Sequence, residues 1–394
     1  MPDKKTGANQ ASDEISAKIA LFVNSMVGKL GNIGYRAHRV VNEGGMPPRR
    51  AYFVSRGVAQ KVDGARYFGF GPFGHLPRLL NALRIYVVRG FKHRVYDLML
   101  FEFFAGIVWW IWLRRENIAL AHVWDSTPSL IRRLKKAGVT VILDVPIAPN
   151  SYAKSVVETH GERNLTYDAK VMELENQALR LADHVIAPSE FVAGEVRKVA
   201  PETPVSVVPF GVDLPRLEEA ERVNGQAPRF AFAGAVNARK GIHDLLEVWQ
   251  DPGFSHAELH LCGRVFPDIR QRISTITQSG RLVTPGYVDT FEYLSTCDVF
   301  VFPSWMEGSA KAVYEAMAVG LPVIVTRQAG SIVRDGVDGF IIEAGDMEAL
   351  REKMKWFLDN PGAAREMGRS AREHVSHYPW ERYAREVTAV YRSV

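Results

Sequence analysis

The residues with the clearest capacity for chemistry lie in residues 307–324, which read EGSAKAVYEAMAVGLPVI. Gly308 and Ser309 form a predicted loop after a buried strand, and we expect a helix over residues 310–319 with Ser309 as its N-cap. The first amides of a helix have no partner within it and favour negative charge. The sequence therefore predicts a phosphate site where this helix begins.

Two carboxylates in the same stretch, Glu307 and Glu315, are separated by seven residues. The predicted helix is apolar on nearly every face except at Lys311 and Glu315, so we expect Glu315 to be buried. A buried carboxylate without a partner is costly, and a ribose diol is a suitable hydrogen-bond partner. The spacing leaves an alternative open, in which Glu315 pairs with an arginine of a neighbouring element and Glu307 is a solvated loop residue.

Short apolar runs that alternate with helical patterns must position these groups. In the first half the predicted strands are AKIALFVNS, AYFVSR, IALAHVWD, VTVILDVP, HVIAPS and VSVVPFG. In the second half they are RFAFAGAV, AELHLCG, RLVTPGYV, DVFVFPS, LPVIVT and DGFIIEAG. This alternation predicts parallel sheets covered by helices, and 394 residues exceed what one core usually serves.

The predicted fold class is α/β, with two Rossmann-like, doubly wound parallel-sheet domains that face a central cleft. The expected divisions are a disordered lead-in (1–16), an N-terminal domain (17–213), a linker (214–228), a C-terminal domain (229–375) and a final helix (376–394) that crosses back onto the N-terminal domain. Such folds bind ligands beyond the carboxyl ends of their strands, so we expect the chemistry in the cleft.

Composition narrows the class of protein. The only cysteines, Cys262 and Cys297, lie in apolar contexts, which argues against a disulfide framework and against a metal cluster. The polar N-terminus lacks the apolar region of a secretory signal, so we expect a reducing, cytoplasmic setting. Residues 1–200 hold 28 Lys and Arg against 18 Asp and Glu, whereas the remainder holds 21 against 26. The basic half is therefore the one expected to meet an anionic partner.

Residues 98–113 (LMLFEFFAGIVWWIWL) form the one run that could be mistaken for a membrane span. The run is shorter than the roughly 20 apolar residues that a span needs, and Glu102 interrupts it. A buried helix is the favoured interpretation, and an interfacial helix and a true span stay open. The window 49–133 carries 14 basic and 5 acidic residues, which suits an anionic bilayer surface, although a solvated basic face explains the same charges.

Glu307 and Glu315 match the E-x7-E pattern of the retaining glycosyltransferases of family 4, and EAMAVGLPVI is similar to the family segment nearly residue for residue. FAGAVNARKGIHDLLEVW resembles the family's Gly-rich loop with a Lys-Gly pair, and LHLCGR and DGVDGFIIEAGD resemble later landmarks. With LADHVIAPSEFV and VVPFGVD, the resemblance covers roughly residues 180–390. It implies the GT-B fold, an acceptor-binding N-terminal domain, a nucleotide-sugar-binding C-terminal domain and retention at the anomeric carbon. Because Lys240, Arg239 and the helix start would already stabilise the leaving diphosphate, and no paired-carboxylate metal motif stands out, we expect no metal or other cofactor.

The resemblance also implies roles for individual residues. Lys240 contacts the donor diphosphate, and Glu307 with the amides of residues 308–310 holds the sugar and its phosphate. The family usually has an arginine where this chain has Ala235, and our hypothesis is that Arg239, beside Lys240, supplies the missing charge and completes the catalytic set. The implied donor-binding residues are Gly234, Gly263, Val288, Gly308, Ser309, Ala310 and Glu315. Within this set Glu315 binds the ribose, and the strand end at Val288 receives the base.

The first domain departs further from the family. The family's Gly-Gly loop corresponds to GKLGNIGY, and the position of its cleft histidine falls near Asp144. Gly34 and Asp144 are therefore the predicted acceptor or cleft residues, although an aspartate that caps a turn explains Asp144 equally well. His122 and His160 are further cleft candidates, for which a structural role is favoured.

Together these expectations describe a transferase that builds a cell-surface polysaccharide or glycolipid, in the cytoplasm or peripherally on the inner face of the membrane. The predicted partners are a nucleotide-sugar donor, a glycan or lipid-linked acceptor and an anionic membrane surface met by the basic N-terminal domain, with no nucleic acid. A soluble transferase for a small sugar or metabolite and a catalytically silent binding subunit are the alternatives. The base and sugar of the donor stay open.

Overall fold

The computed structural model describes residues 15–29, 33–70, 93–161, 163–216, 227–277 and 281–394. Most of the predicted lead-in, Gly31 of the GKLGNIGY loop and most of the predicted linker lie outside these ranges. Within them the chain forms two β-sheets, one in each half, whose strands are connected through helices.

The first sheet has seven strands in the order β3-β2-β1-β4-β5-β6-β7, and all neighbours are parallel. Its strands are β1 (Lys18–Val27), β2 (Ala51–Val58), β3 (Arg66–Gly69), β4 (Ile118–Val123), β5 (Thr140–Asp144), β6 (His184–Ala187) and β7 (Val205–Val207). The described helices of this half are α1 (Ile33–Glu43), α2 (His93–Ile111), α3 (Pro128–Lys136), α4 (Asn150–His160), α5 (Ala169–Leu181) and α6 (Glu190–Val199).

The second sheet has six parallel strands in the order β10-β9-β8-β11-β12-β13. Its strands are β8 (Arg229–Ala233), β9 (Glu258–Cys262), β10 (Leu282–Gly286), β11 (Val299–Phe302), β12 (Val323–Thr326) and β13 (Gly339–Ile342). The described helices are α7 (Ile242–Val248), α8 (Pro267–Thr277), α9 (Thr290–Leu294), α10 (Lys311–Ala318), α11 (Met347–Asp359), α12 (Pro361–Ser376) and α13 (Trp380–Ser393).

The strand sequences explain why the sheets are buried. β11 reads VFVF and β12 reads VIVT, and every residue of both is buried, as expected for strands covered on both faces. The order of connection reverses between β1 and β4 in the first sheet, and between β8 and β11 in the second. This is the α/β, doubly wound architecture that the sequence predicted, and these two switch points are where such sheets bind ligands.

The last helix, α13, packs on α1 in the first half of the chain. The Thr388 hydroxyl donates a hydrogen bond to the Gly44 carbonyl oxygen at 2.7 Å. The rings of Trp380 and Tyr35 meet edge to face, with centroids 5.4 Å apart. Tyr383 lies in the same apolar cluster as the β1 side chains, so α13 completes the core on this side of the first sheet.

A charged network lies buried beneath α13. The Arg36 guanidinium pairs with the Asp144 carboxylate at 3.0 Å, and their side chains are 7% and 1% exposed. His122 lies 3.7 Å from Asp144 and shares a 2.6 Å hydrogen bond with the Tyr391 hydroxyl, so its role is structural. Burial raises the pKa of Asp144, but Arg36 and His122 outweigh this effect and hold the pKa below its usual value. Helix α13 therefore closes over an ion pair that is shielded from water.

Helix α2 is longer than the apolar run that predicted it. With the turn that follows, it forms a 22-residue helical segment from Arg94 to Arg115, which by length and composition is able to cross a membrane. The expectation that this segment is too short is therefore wrong. However, 39% of its most apolar window is buried, and Phe101 and Ala105 belong to the core of the first half. The helix is thus packed on one side and open on the other.

We expect Arg36→Met to lower the free energy of unfolding by about 3–5 kcal/mol, because it leaves the buried Asp144 carboxylate without its cation. Urea denaturation followed by circular dichroism measures this change. Lys170→Met is the matched control, since Lys170 pairs with Glu173 at 2.6 Å on the surface and its loss should cost less than about 1 kcal/mol. Equal losses in the two variants would contradict the presence of a shielded ion pair.

Candidate functional site

The switch point of the second sheet brings two of the predicted glycines into contact. Gly234 follows β8 and Gly263 follows β9, so both lie at the carboxyl edge of the sheet. Their φ angles are 140° and 141°, and a Cβ on Gly263 would lie 1.9 Å from the Gly234 carbonyl oxygen. Glycine at position 263 therefore allows two adjacent strand ends to touch, which leaves no side chain between them.

The loop after β8 is folded onto the end of β11. The Asn237 side chain accepts a hydrogen bond from the Lys240 amide at 3.2 Å and caps a short 3₁₀ turn, Ala238–Lys240. Gly241 follows with φ of 73°, and a Cβ there would lie 1.9 Å from the Pro303 carbonyl oxygen. The turn therefore carries the side chains of residues 239 and 240 across the switch point.

Lys240, Arg239 and Glu307 form a charged group at this point, which we call the cation–carboxylate cluster. Glu307 Oε1 lies 2.5 Å from Lys240 Nζ and 2.6 Å from an Arg239 guanidinium nitrogen. The Lys240 and Glu307 side chains are each 12% exposed, and Lys240 Nζ lies 4.7 Å from the centroid of the Phe302 ring. Burial lowers the pKa of Lys240, and Glu307 opposes that shift. The alternative in which Glu307 is a solvated loop residue is therefore wrong.

Helix α10 begins one residue later than predicted and is capped differently. It starts at Lys311, and its N-cap residue, Ala310, makes no side-chain hydrogen bond. The predicted cap, Ser309, is buried, and its hydroxyl lies 2.7 Å from the Tyr314 hydroxyl. The side chain of Ser309 thus secures the loop to the helix from inside, and the prediction that it caps the helix is wrong.

Two backbone amides before α10 keep their capacity to bind an anion. The Ala310 amide donates to the Ala329 carbonyl oxygen at 3.0 Å, so Ala310 is not the free donor that was predicted. Over the residues that the structure describes, the amides of Gly308 and Ser309 donate to no acceptor. The predicted phosphate site is therefore reduced to these two amides beside the cation–carboxylate cluster.

Glu315 has a partner on its own helix. The side chain is buried as predicted, and Lys311 Nζ donates to its carboxylate at 2.6 Å, one helical turn away. The alternative partner, an arginine from a neighbouring element, is therefore wrong. The Lys311 side chain is about half exposed, so the pair borders on solvent.

The loop before α10 also contacts the first domain. A Cβ on Gly308 would lie 1.8 Å from the carbonyl oxygen of Pro146, which follows β5. The Ser189 hydroxyl donates to the Gly308 carbonyl oxygen at 2.7 Å, and a Cβ on Gly330 would lie 2.0 Å from the same oxygen. Glycine is thus required where the two halves meet, directly beside the cation–carboxylate cluster.

Trp305 and Met306 reach from the second domain into the apolar core of the first. The Trp305 indole nitrogen donates to Asp244 at 2.6 Å, and the Tyr152 hydroxyl donates to the Trp305 carbonyl oxygen at 3.1 Å. The exposed ring of His160, a predicted cleft candidate, meets the Trp305 ring with centroids 5.3 Å apart. Sequence reasoning missed these contacts. An aromatic residue after a strand has the same local sequence pattern whether it packs within its own domain or against the other one.

Gly34 and Asp144, the predicted acceptor residues, are engaged within the first domain. Gly34 lies in the first turn of α1, where a Cβ would be 2.0 Å from the Met26 carbonyl oxygen. Glycine at this position allows α1 to pack closely against the end of β1. Asp144 is committed to Arg36 beneath α13, so the structure does not support a cleft role for its side chain. The physical reason is that a buried carboxylate requires a nearby cation, which Arg36 supplies.

A second charged network, at the switch point of the first sheet, was not predicted. Arg56 of β2 donates to the Asn24 side chain of β1 at 2.5 Å and pairs with Asp97 of α2. Arg94 of α2 pairs with Asp125, which follows β4 and is almost fully buried. The position of Asp125 directly after a strand was the available signal. Its partner lies 31 residues away in the chain, which the local pattern could not reveal.

One predicted donor-binding residue, Val288, and the two cysteines remain to be placed. Val288 follows β10, the edge strand, and is partly buried against the core of the second domain. Cys262 and Cys297 are buried, and burial raises the pKa of Cys262 to about 12. In the described ranges no group of three His, Cys, Asp or Glu side chains is placed to hold a metal ion.

Two family models match the chain, Glycosyltransferase Family 4 over residues 34–216 and Glycosyl transferases group 1 over residues 227–360. CapM of Staphylococcus aureus, a capsular polysaccharide biosynthesis glycosyltransferase, is 27% identical over 52% of this chain and 60% of its own length. A D-inositol 3-phosphate glycosyltransferase of Streptomyces scabiei is 26% identical over 88% of this chain and 79% of its own. The match to CapM thus spans less than two thirds of that relative.

Solved structures show the same architecture. Sucrose-phosphate synthase of Thermosynechococcus elongatus has a TM-score of 0.72 at 21% identity and covers 95% of this chain and 98% of its own. HepE of Anabaena, solved with UDP and glucose, has a TM-score of 0.65 at 15% identity and covers 96% and 100%. The two doubly wound domains have the architecture of the GT-B fold. The chain belongs to glycosyltransferase family 4, the glycosyl transferases group 1.

We expect Gly308→Ala to loosen the contact between the two halves, because the added Cβ meets the Pro146 carbonyl oxygen. Hydrogen exchange with mass spectrometry should show about tenfold faster exchange in peptides that cover residues 145–152 and 305–310. Gly194→Ala in α6 is the control, since a Cβ there meets nothing within 4 Å. Exchange in Gly308→Ala that matches this control would show that the contact is not tight.

Proposed function

We propose that this glycosyltransferase moves a sugar from a nucleotide-diphosphate donor to a glycan or lipid-linked acceptor, with retention at the anomeric carbon and without a metal. The observation that carries the proposal is the cation–carboxylate cluster at the second switch point. Two cations beside two free amides suit a diphosphate. The complex of HepE with UDP and glucose favours the same class of donor.

The cluster would act on the leaving group. As the bond between the anomeric carbon and the diphosphate oxygen breaks, positive charge grows on the sugar and negative charge on the diphosphate. Lys240, Arg239 and the amides of Gly308 and Ser309 would present fixed positive potential to that charge. Because these groups already supply positive charge, we propose that no divalent cation is needed. Glu307 would hold both cations in place before the donor binds.

Retention would follow if the acceptor attacks from the face that the diphosphate leaves. The acceptor hydroxyl oxygen bonds to the anomeric carbon, and its proton passes to the leaving phosphate oxygen. This route uses the donor itself as the base. Within it, Glu307 has an orienting role and is not required to form a covalent intermediate.

Donor recognition is proposed for residues around the cluster. Glu315 would accept hydrogen bonds from the ribose hydroxyls in place of its bond from Lys311. The touching strand ends at Gly234 and Gly263 would form a floor over which the diphosphate lies. The strand end at Val288 would receive the base through backbone groups.

For the acceptor we favour a membrane-borne glycan or lipid, with the enzyme on the cytoplasmic face of the membrane. CapM, a capsular polysaccharide enzyme, supports a polymer or lipid-linked acceptor, and the basic charge of residues 1–200 suits an anionic surface. The second candidate is a small soluble acceptor, which the D-inositol 3-phosphate relative favours because it matches 88% of the chain. Transfer to soluble inositol phosphate in the absence of any lipid separates the two.

We expect Lys240→Met to lower kcat/KM for sugar transfer, or for donor hydrolysis when no acceptor is supplied, by about 10²–10³-fold, because a fixed charge facing the leaving group is lost. Arg239→Ala should mainly weaken donor binding. Lys198→Met on α6 is the matched control, since Lys198 is exposed and pairs with Glu195 on the same helix. If kcat/KM is unchanged in Lys240→Met, the cluster has no part in the reaction.

Nucleotide sugars should stabilise the protein against heat. A donor at 100 times its Kd adds about 2.7 kcal/mol to the free energy of unfolding, which scanning fluorimetry detects as a rise in Tm. Glu315→Gln should reduce the rise for the matching donor, whereas Glu348→Gln, at an exposed position of α11, should not. A panel of UDP-, GDP- and ADP-linked sugars that leaves Tm unchanged would contradict the proposed donor and favour a silent binding subunit.

A further inference from the structure

Helix α2 has two faces of different character. One face packs into the first domain through apolar side chains, namely Leu98, Phe101, Ala105, Val108 and Trp109. On the other face Met99, Phe103 and Trp110 are 56%, 61% and 63% exposed. Their spacing of four and seven residues places them on one stripe of the helix. We call these three residues, together with the exposed Ile111 and Trp112 that follow, the aromatic face.

The aromatic face extends along much of α2, and a Cβ on Gly106, between Phe103 and Trp110, would lie 2.5 Å from an Arg133 guanidinium nitrogen. From Met99 to Trp110 it runs for about 16 Å at the rise of an α-helix. Glu102, the one acidic residue inside this span, is turned away and accepts hydrogen bonds from the amides of Ser129 and Leu130 at 2.6 and 3.0 Å. Exposed apolar side chains grouped on one face of a helix in this way mark a site of contact with a partner or a membrane.

The charged side chains in the part of the chain around the aromatic face have an excess of positive charge. Residues 93–136 hold seven Lys and Arg against four Asp and Glu. The acidic groups all have partners: besides Glu102, Glu116 pairs with Lys18, and Asp97 and Asp125 belong to the network at the first switch point. Arg114 lies 5.0 Å from the centroid of the Trp110 ring, at the edge of the aromatic face. This arrangement, with apolar rings bordered by cations, complements an anionic lipid surface.

The orientation of α2 places one end of the aromatic face near the cleft. At the start of the helix, Asp97 and Arg94 contact residues at the carboxyl ends of β1, β2 and β4. Beyond its end, Glu116 bonds to Lys18 and Tyr52, at the opposite ends of the strands. The aromatic face therefore runs from the cleft edge of the first sheet to its far edge.

We propose that the aromatic face docks on an anionic lipid bilayer, with α2 lying in the interface and not across it. The buried face argues against a span, because withdrawing α2 into lipid would expose the core of the first domain. Docking by this face brings the open cleft edge close to the lipid headgroups. This proposal rests on the proposed function in one respect. Docking on a bilayer brings the enzyme to its acceptor only if that acceptor is carried by the membrane.

The test is flotation of the full chain with vesicles of phosphatidylglycerol and phosphatidylcholine, compared with vesicles of phosphatidylcholine alone. Wild type should float with the anionic vesicles and lose binding as salt is raised. Phe103→Ser with Trp110→Ser should weaken the partition by about tenfold for each ring removed. The matched control, Leu214→Ser with Val337→Ser, removes two exposed apolar side chains elsewhere and should float as wild type.

A second variant tests the charges separately. Arg114→Gln with Arg115→Gln keeps every ring and should lower the partition to anionic vesicles by about tenfold, without changing that to neutral vesicles. Equal flotation of wild type and the Phe103, Trp110 variant would overturn the proposal. So would a wild-type dimer that becomes monomeric in that variant and binds no vesicle, because a second copy would then cover the aromatic face.

The result of the flotation test can be distinguished from the result of the test of donor binding. Flotation uses vesicles without donor or acceptor, whereas thermal stabilisation by nucleotide sugars needs no lipid. A variant of the aromatic face that loses flotation but keeps the donor-induced rise in Tm supports docking and shows that the fold is intact. Donor stabilisation without any flotation of wild type would retain the donor site and reject the docking surface.

Discussion

Glu307 is held between two cations, Arg239 and Lys240. The loop that carries these cations is itself packed against the end of β11, the strand that precedes Glu307. Removing Lys240 and Glu307 from water has a large cost, which the close approach of the two groups and the second cation that pairs with Glu307, Arg239, offset. Each member therefore keeps the others in place. The positive charge at this switch point is organised before any ligand arrives, which is the condition under which charge stabilises a reaction most effectively.

The residues that connect β11 to α10 perform several tasks in a short length of chain. Trp305 and Met306 fill the core of the first domain, Glu307 completes the cation–carboxylate cluster, and Gly308 touches the Pro146 carbonyl oxygen. A change in the separation of the two domains would therefore displace residues directly beside the cation–carboxylate cluster. The contact between the two domains and the cation–carboxylate cluster therefore lie on the same short segment of the chain.

Much of this organisation was accessible from the sequence. Strands such as β11 and β12 are short apolar runs, so their parallel, buried character was predictable from composition alone. Lys240 and Glu307 were assigned to one site through the family resemblance, and in the structure both follow strands of the same sheet. The hydroxyl of Ser309 was assigned wrongly as a helix cap, because it bonds to Tyr314 within the fold, and no local pattern indicated that Arg36 pairs with Asp144. Pairs such as Arg94 and Asp125 join distant segments, and no local pattern encodes them.

Helix α13 has a consequence for how the chain is made. The core on one side of the first sheet contains Tyr383, Val387 and Tyr391, which follow both sheets along the chain and are therefore synthesised after them. Until α13 has been made, no helix covers the ion pair of Arg36 and Asp144, although the first half of the chain contributes both residues. The N-terminal domain thus cannot reach its final state as an independent unit during synthesis, although early domains commonly fold first. The two halves of the chain therefore mature together once α13 has been made.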